Sequence, residues 1–432
     1  MTVGITAPPL AGANAWHGAT PLRRWLVVVV LLAALPYVPG LASDFGRSLL
    51  TQMGIAAVFA LSYNVLFGQT GLLSFGHAVY FGLGGYAAVH LMRAINHGLP
   101  LPMPLVPLAG ALAGLLFGVV FGALTTRRAG TIFALISLGV GELVYAATFM
   151  LPGLFGGEEG ITASRTRGPA LAGLDLGSQV QVYYLVVAWA LVSAAAMRAF
   201  ARTPAGRMCN AVRDNPERAE FVGYDPQRVR FIAFCAAGLF AGLAGGLHAV
   251  NYEIVAADAV GAQRSGNVLI MTYLGGTGYF AGPVIGAIVL TWLQSSLSAY
   301  TAAWQLYVGI VFIVVILCAP GGLAGLVGMH RPIARSRALR NVLASYAVAV
   351  IPLAIVVAGA AIVIEMSYRL ATQRELGTLV KVGPLVLDAA SPVPWIAGGI
   401  MAAAGWLVFR TRWRHVSAAW SAALDEARGT RP

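Results

Sequence analysis

Three observations predict an all-α polytopic membrane protein. Of 432 residues, 58% are hydrophobic and only 10% are charged, whereas a soluble domain carries about 25% charged residues. The apolar residues, at a mean hydropathy of +0.77, gather in runs of about 20, the length a helix needs to cross a bilayer. One run is anomalous. Asn64 to Tyr86 reads N-V-L-F-G-Q-T-G-L-L-S-F-G-H-A-V-Y-F-G-L-G-G-Y, apolar overall yet carrying Asn64, Gln69, Thr70, Ser74 and His77 among six glycines. Hydrocarbon penalises polar side chains and irregular backbone, so both belong where helices pack closely or line a wet cavity. The expectation is a broken or tightly packed helical pair at a translocation path.

Taken in order, residues 1–24 form a polar leader that ends in Arg23-Arg24. No clear A-x-A site closes the first apolar run, which is therefore read as an uncleaved span. Candidate spans lie at 25–42, 48–67, 71–92, 104–125, 131–151, 180–199, 229–250, 280–299, 304–327, 341–364 and 392–410. The run 266–275 is short. It reads as a broken helix joined to 280–299 through Gly275-Gly276-Thr277-Gly278, which echoes Gly68-Gln69-Thr70-Gly71. The count is 10–12 membrane helices, about twelve if 266–275 crosses, with irregular helices near 64–86 and 266–287.

Charge supplies the orientation. With both termini in the cytoplasm, the cytoplasmic loops hold 20 of the 28 basic residues, including seven arginines from Arg198 to Arg230. That bias is the positive-inside rule, and it accounts for a net charge of +12 without nucleic acid. Three loops stand out. Residues 152–179 are polar and external, with G-G-E-E-G at 156–160. Residues 201–230 form the longest cytoplasmic loop, where Asp214-Asn215-Pro216 offers a cap and first-turn proline for a short helix. Such a loop can dock a soluble partner or lie on lipid headgroups. Residues 329–432 add two spans and a basic amphipathic end, 411–432, expected on the membrane surface.

Catalytic chemistry is not expected. The single lysine, Lys381, precedes Val382, so no Walker A step exists and any ATP-driven transport draws its energy from a partner. Cysteines 209, 235 and 318 and the seven histidines are too dispersed for a metal site, and no cofactor motif is present. Glu142 lies within a span. A carboxylate there should face the protein interior, a cavity or the nearby membrane face, and a path-lining or structural role outweighs a proton relay. Gly238, Gly242 and Gly246 share one helical face, suited to bundle packing or to a dimer seam.

Together these residues resemble LivM-type permeases of branched-chain amino acid ABC transporters. The resemblance rests on 64–86; on A-G-T-I-F-A-L-I-S-L-G-V-G-E-L-V at 129–144 with F-G-G-E-E-G-I at 155–161; and on G-R-M-C-N-A-V-R-D-N-P-E-R-A-E-F-V-G at 206–223. It continues through R-F-I-A-F-C-A-A-G-L-F-A-G-L-A-G-G-L at 230–247, Y-L-G-G-T-G-Y-F-A-G-P-V-I-G-A at 273–287 and A-P-G-G-L-A-G-L at 319–326. It covers 45–328 within a core of 25–328, leaving 329–432 as an extension. Glu220-Phe221-Val222 and V-A-A-D-A-V at 255–260 depart from the family pattern.

The resemblance implies an inner-membrane subunit paired with a second, LivH-like permease, two cytoplasmic ATPases and a periplasmic solute-binding protein. It assigns Gly206, Arg207, Arg213, Glu220 and Gly223 to the ATPase-coupling loop. Asn64, Gly68, Gln69, Thr70, Gly71, Ser74, His77, Gly82, Glu142, Gly275, Gly276 and Gly278 are the candidate path and signature positions. Urea or short amides are the alternative solutes. An ion-coupled transporter using Glu142, or a membrane scaffold using the tail, are readings from other classes.

Overall fold

The computed structural model describes residues 22–169, 175–319, 321–330, 338–373, 375, 377–383 and 385–429. The leader up to residue 21, the basic run 331–337 and the last three residues lie outside them. The helices are α1 (Leu22–Ala34), α2 (Asp44–Thr70), α3 (Ala78–Asn96), α4 (Val106–Thr125), α5 (Gly130–Met150), α6 (Gln179–Arg202), α7 (Pro204–Asp214), α8 (Pro216–Phe221), α9 (Pro226–Tyr252), α10 (Ala262–Gly275), α11 (Gly282–Tyr300), α12 (Trp304–Cys318), α13 (Gly322–His330), α14 (Ala338–Thr372) and α15 (Pro392–Gly429). Among the described residues, sheet is confined to two small antiparallel pairs: β1 (Ile161–Thr162) with β2 (Ile254–Val255), and β3 (Leu379–Val382) with β4 (Leu385–Asp388).

Among the described residues, eight helices are long and apolar enough to cross a membrane, and up to nine if the bent pair α12–α13 is one span. Three of the twelve expected segments are not among them. Among the described residues, α1 runs for 13 residues before a 3-10 helix at Leu35–Tyr37. The run 71–92 is not helical until Ala78. α10, with 14 residues, is too short to span. The irregular stretches fall where they were expected, at 71–77 and 276–281.

Two compact units divide the chain, 1–295 with 310–325 and 296–309 with 326–432. The first is centred on α9. Asp225 caps its start by accepting from the Gln227 and Arg228 amides, Pro226 fits the first turn, and Glu253 ends it in the left-handed region at φ 59°. Its glycines set the packing distance. A Cβ on Gly242 would lie 2.2 Å from the Gly110 carbonyl oxygen, and one on Gly114 the same distance from that of Gly238. On the adjoining face a Cβ on Gly245 would lie 1.8 Å from the Phe81 oxygen. The glycine face of α9 is thus filled within the chain by α4, with α3 alongside, which decides for bundle packing over a dimer seam.

In the second unit, α14 and α15 form a long pair closed by the β3–β4 hairpin. α15 runs unbroken for 38 residues, about 57 Å at 1.5 Å per residue. The basic end from 411 is therefore not a separate surface helix. The Ala- and Arg-rich sequence there has no breaker before Gly429. It packs back on the start of α14, where Val342 and Ala423 are buried with Tyr346 and Trp420 against them.

Candidate functional site

α2 carries the polar anomaly into the protein interior. Asn64, Gln69 and His77 are fully buried, with Ser74 at 1% exposure and Thr70 at 4%. Ser43 caps the start of α2 through the Gly46 amide, and Gly71 ends it in the left-handed conformation at φ 72°. Thr70 donates its hydroxyl proton to the Leu66 carbonyl, folding back on its own helix. The non-helical residues 71–77 are held from a distance. Ser137 Oγ on α5 accepts from the Phe75 amide, and Ser265 Oγ on α10 accepts from the Ala78 amide, both at 3.0 Å. His77 Nε2 meets Ser62 Oγ at 3.0 Å, and its ring stacks on Phe59 and meets Tyr63 edge-on. Gly82 lies so close to Val260 that a Cβ would fall 2.2 Å from Val260 Cγ1.

Four of these side chains are under-satisfied. Both polar atoms of Asn64, both of Gln69, the Ser74 hydroxyl and His77 Nδ1 find no partner among the described residues. Buried polar atoms without partners are costly, so their concentration in one segment makes that segment the candidate site.

The two glycine turns meet here. A Cβ on Gly68 would lie 3.2 Å from the Thr277 carbonyl oxygen, and the Phe67 and Tyr273 rings are 4.9 Å apart. Gly275 is pressed against Gly282, and Gly276, at φ 102°, against Gly321, whereas Gly278 faces open space.

The loop 203–225 folds as α7 and α8. Thr203 and Asn215 are the caps, and Pro204 and Pro216 open the helices, as Asp214-Asn215-Pro216 led one to expect. Cys209 and Val212 anchor α7 in a small apolar cluster with Ala219 and Val229. Burial pushes the Cys209 thiol up to about 12, which suits a packing residue. Arg213 leaves this platform for the signature segment. Its Nη1 donates to the Gly68 carbonyl at 2.5 Å, its Cγ lies 3.1 Å from a Cβ placed on Gly71, and Asp214 pairs with it at 3.0 Å. A cation at the carbonyl end of α2 complements the helix dipole. Gly206 is buried against Phe200, while Arg207, Glu220 and Gly223 are exposed. Phe221 and Val222 are exposed as well, at 89% and 71%, beside a groove lined by Met208, Tyr224 and Arg228.

Sequence reasoning missed a second feature. A cavity of about 120 Å³ lies between α2, α3, α9, α10 and α11, several times the roughly 10–15 Å³ that holds one water. Gln52, His248, Arg264, Asn267, Thr291 and Gln294 bring polar groups to it, and Phe59, Phe81 and Met271 supply apolar walls. Arg264 stacks over Phe81 at 5.2 Å and reaches the exposed Asp258 at 3.3 Å. Isolated amides inside apolar runs were the signal.

Glu142 does not join either cluster. It is exposed on the outward face of α5, while Ser137 and Thr148 on the opposite face are buried.

A family model described as "Branched-chain amino acid transport system / permease component" matches residues 47–320. The chain belongs to this permease family. LivM of Escherichia coli strain K12, named a high-affinity branched-chain amino acid transport system permease protein, is 25% identical over 338 residues, covering 73% of this chain and 77% of that protein. A probable LivH permease of Methanocaldococcus jannaschii is 23% identical over 308 residues, covering 66% and 95%. A probable ABC transporter permease, y4mJ of Sinorhizobium fredii, is 32% identical over 108 residues, covering 23% and 32%. No solved structure gives a significant match. In permease-family terms, the polar segment, the α7–α8 platform and the cavity all lie within the matched stretch, whereas α14 and α15 lie beyond it.

Proposed function

We propose that this chain is the permease subunit of an ATP-binding cassette importer that moves branched-chain or related amino acids across a bacterial inner membrane. The core, 25–328, works with a second permease subunit, two cytoplasmic ATPases and a periplasmic solute-binding protein. Both termini and the α7–α8 platform face the cytoplasm, and 329–432 adds two further membrane helices. The observation that carries the reading is the bond from Arg213 to Gly68. It joins the surface on which an ATPase would push to the end of a buried segment rich in polar side chains. The exposed Phe221 and Val222 beside their groove suit a soluble partner better than solvent. Movement of α7 would pull on α2 and redistribute the unpartnered polar atoms of Asn64, Gln69 and Ser74 along an opening path.

The test is reconstitution of the complex in liposomes with its binding protein. Leucine, isoleucine or valine should raise ATP hydrolysis and accumulate inside. Failure of every amino acid to stimulate, with urea or a short amide succeeding, would replace the substrate class.

The cavity favours amino acids over amides, because Arg264 is a fixed cation in its wall and suits a carboxylate. Leucine uptake by Arg264→Gln should fall about tenfold, the weight of one charge-assisted hydrogen bond. Inhibition of residual uptake by isovaleramide, which lacks the carboxylate, should not change. Unaltered leucine uptake would remove the cavity from the path.

A further inference from the structure

Glu142 sits two residues from the centre of α5, about 3 Å along its axis, in a helix long and apolar enough to span a bilayer. It is exposed, and it makes no hydrogen bond or ion pair among the described residues. A carboxylate facing lipid at that depth costs several kcal/mol, so this face of α5 is not a lipid face in the working protein. Its neighbours say what kind of face it is. Ile132, Leu135, Gly139, Glu142, Ala146 and Phe149 are all exposed and recur at alternating spacings of three and four. That is the heptad seam of two helices crossing at about 20°. The small residues Gly139 and Ala146 flank the carboxylate, and a Cβ on Gly139 would meet nothing within 4 Å, leaving room for a close approach.

Resting on the permease reading above, we infer that this stripe is the packing surface for a membrane-spanning helix of the second, non-identical permease subunit. That helix sets a basic or amide side chain against Glu142. A second copy of this chain does not fit, because a symmetric seam centred near 139–146 would bring two carboxylates face to face. A non-identical subunit supplies the missing donor, and the single polar pair fixes the register of an otherwise apolar seam. Asymmetric pairing of permeases then follows from one residue.

The experiment uses the full chain co-expressed with its second permease subunit. Illumination of membranes carrying p-benzoylphenylalanine at Leu135 should give an adduct of the two different subunits. Glu142→Gln, which keeps a hydrogen-bonding side chain, should recover the partner within about twofold of wild type, and Glu142→Lys about tenfold less. An adduct only to lipid or to a second copy overturns the inference. So does normal pairing by Glu142→Leu, a variant that a lipid-facing position would welcome and whose result stands whether or not the lysine variant folds. If the unaltered chain recovers no second permease subunit at all, the permease reading itself has failed. If it pairs but the adduct lies elsewhere, only this inference has.

Discussion

Exchanging Arg213 for glutamate is expected to uncouple ATP hydrolysis from transport. The wild-type guanidinium donates to the Gly68 carbonyl from a side chain that is 32% exposed, with Asp214 beside it. Glutamate has no proton to give that carbonyl and adds a second negative charge near Asp214. It also places an anion at the negative end of the α2 dipole. Loss of a charge-assisted bond of about 1.5–3 kcal/mol predicts that uptake falls at least tenfold. The residue lies at the rim of the α7 platform, not in the buried cluster of Cys209 and Val212, so the ATPases should still bind and turn over. Arg213→Lys should recover part of the uptake, since it restores a point charge without the fork. Parallel measurements of ATP hydrolysis and leucine accumulation in the same liposomes decide the matter. Wild-type uptake by Arg213→Glu would reject the coupling role.

A large effect on stability is expected at Gly245. A methyl group there would lie 1.8 Å from the Phe81 oxygen and 2.7 Å from its carbonyl carbon. Both obstacles are backbone, so no rotamer change relieves them, and α3 and α9 would have to separate along their length. Gly245→Ala should cost more than about 3 kcal/mol and lower the melting temperature of the detergent-purified chain sharply. Gly399→Ala is the matched control. It meets nothing within 4 Å, and alanine is the better helix former by about 1 kcal/mol. Equal melting temperatures for the two variants would refute the packing account of α9.

The reach of the sequence differed from residue to residue, and for physical reasons. Asn64, Gln69 and His77 stood out because apolar surroundings make a polar residue conspicuous, and all are buried as that logic requires. The glycine face of α9 was legible as a face, but glycine spacing carries no information about the partner helix. That partner, α4, is known only from the structure. The cavity was missed because Gln52 and Gln294 lie far apart in the chain, and each looked like a lone polar residue in an apolar run. Glu142 was expected to face the protein interior, a cavity or the nearby membrane face. Its helical phase excludes the chain's own interior, since it shares an exposed face with Leu135, Gly139 and Ala146 and not with the buried Ser137 and Thr148. Helix ends were less legible than helices, because residues 71–77 remain apolar while leaving the helix.

That break has a consequence for the order in which the protein is made. The Phe75 amide finds its acceptor 62 residues downstream, on Ser137, and the Ala78 amide finds its own 187 residues downstream, on Ser265. Hydrocarbon does not tolerate bare backbone amides. Newly synthesised α2 and α3 therefore cannot settle into lipid as a finished pair when they leave the ribosome. They must wait in a hydrated insertion channel, or beside a chaperone, until α5 and then α10 arrive to complete them.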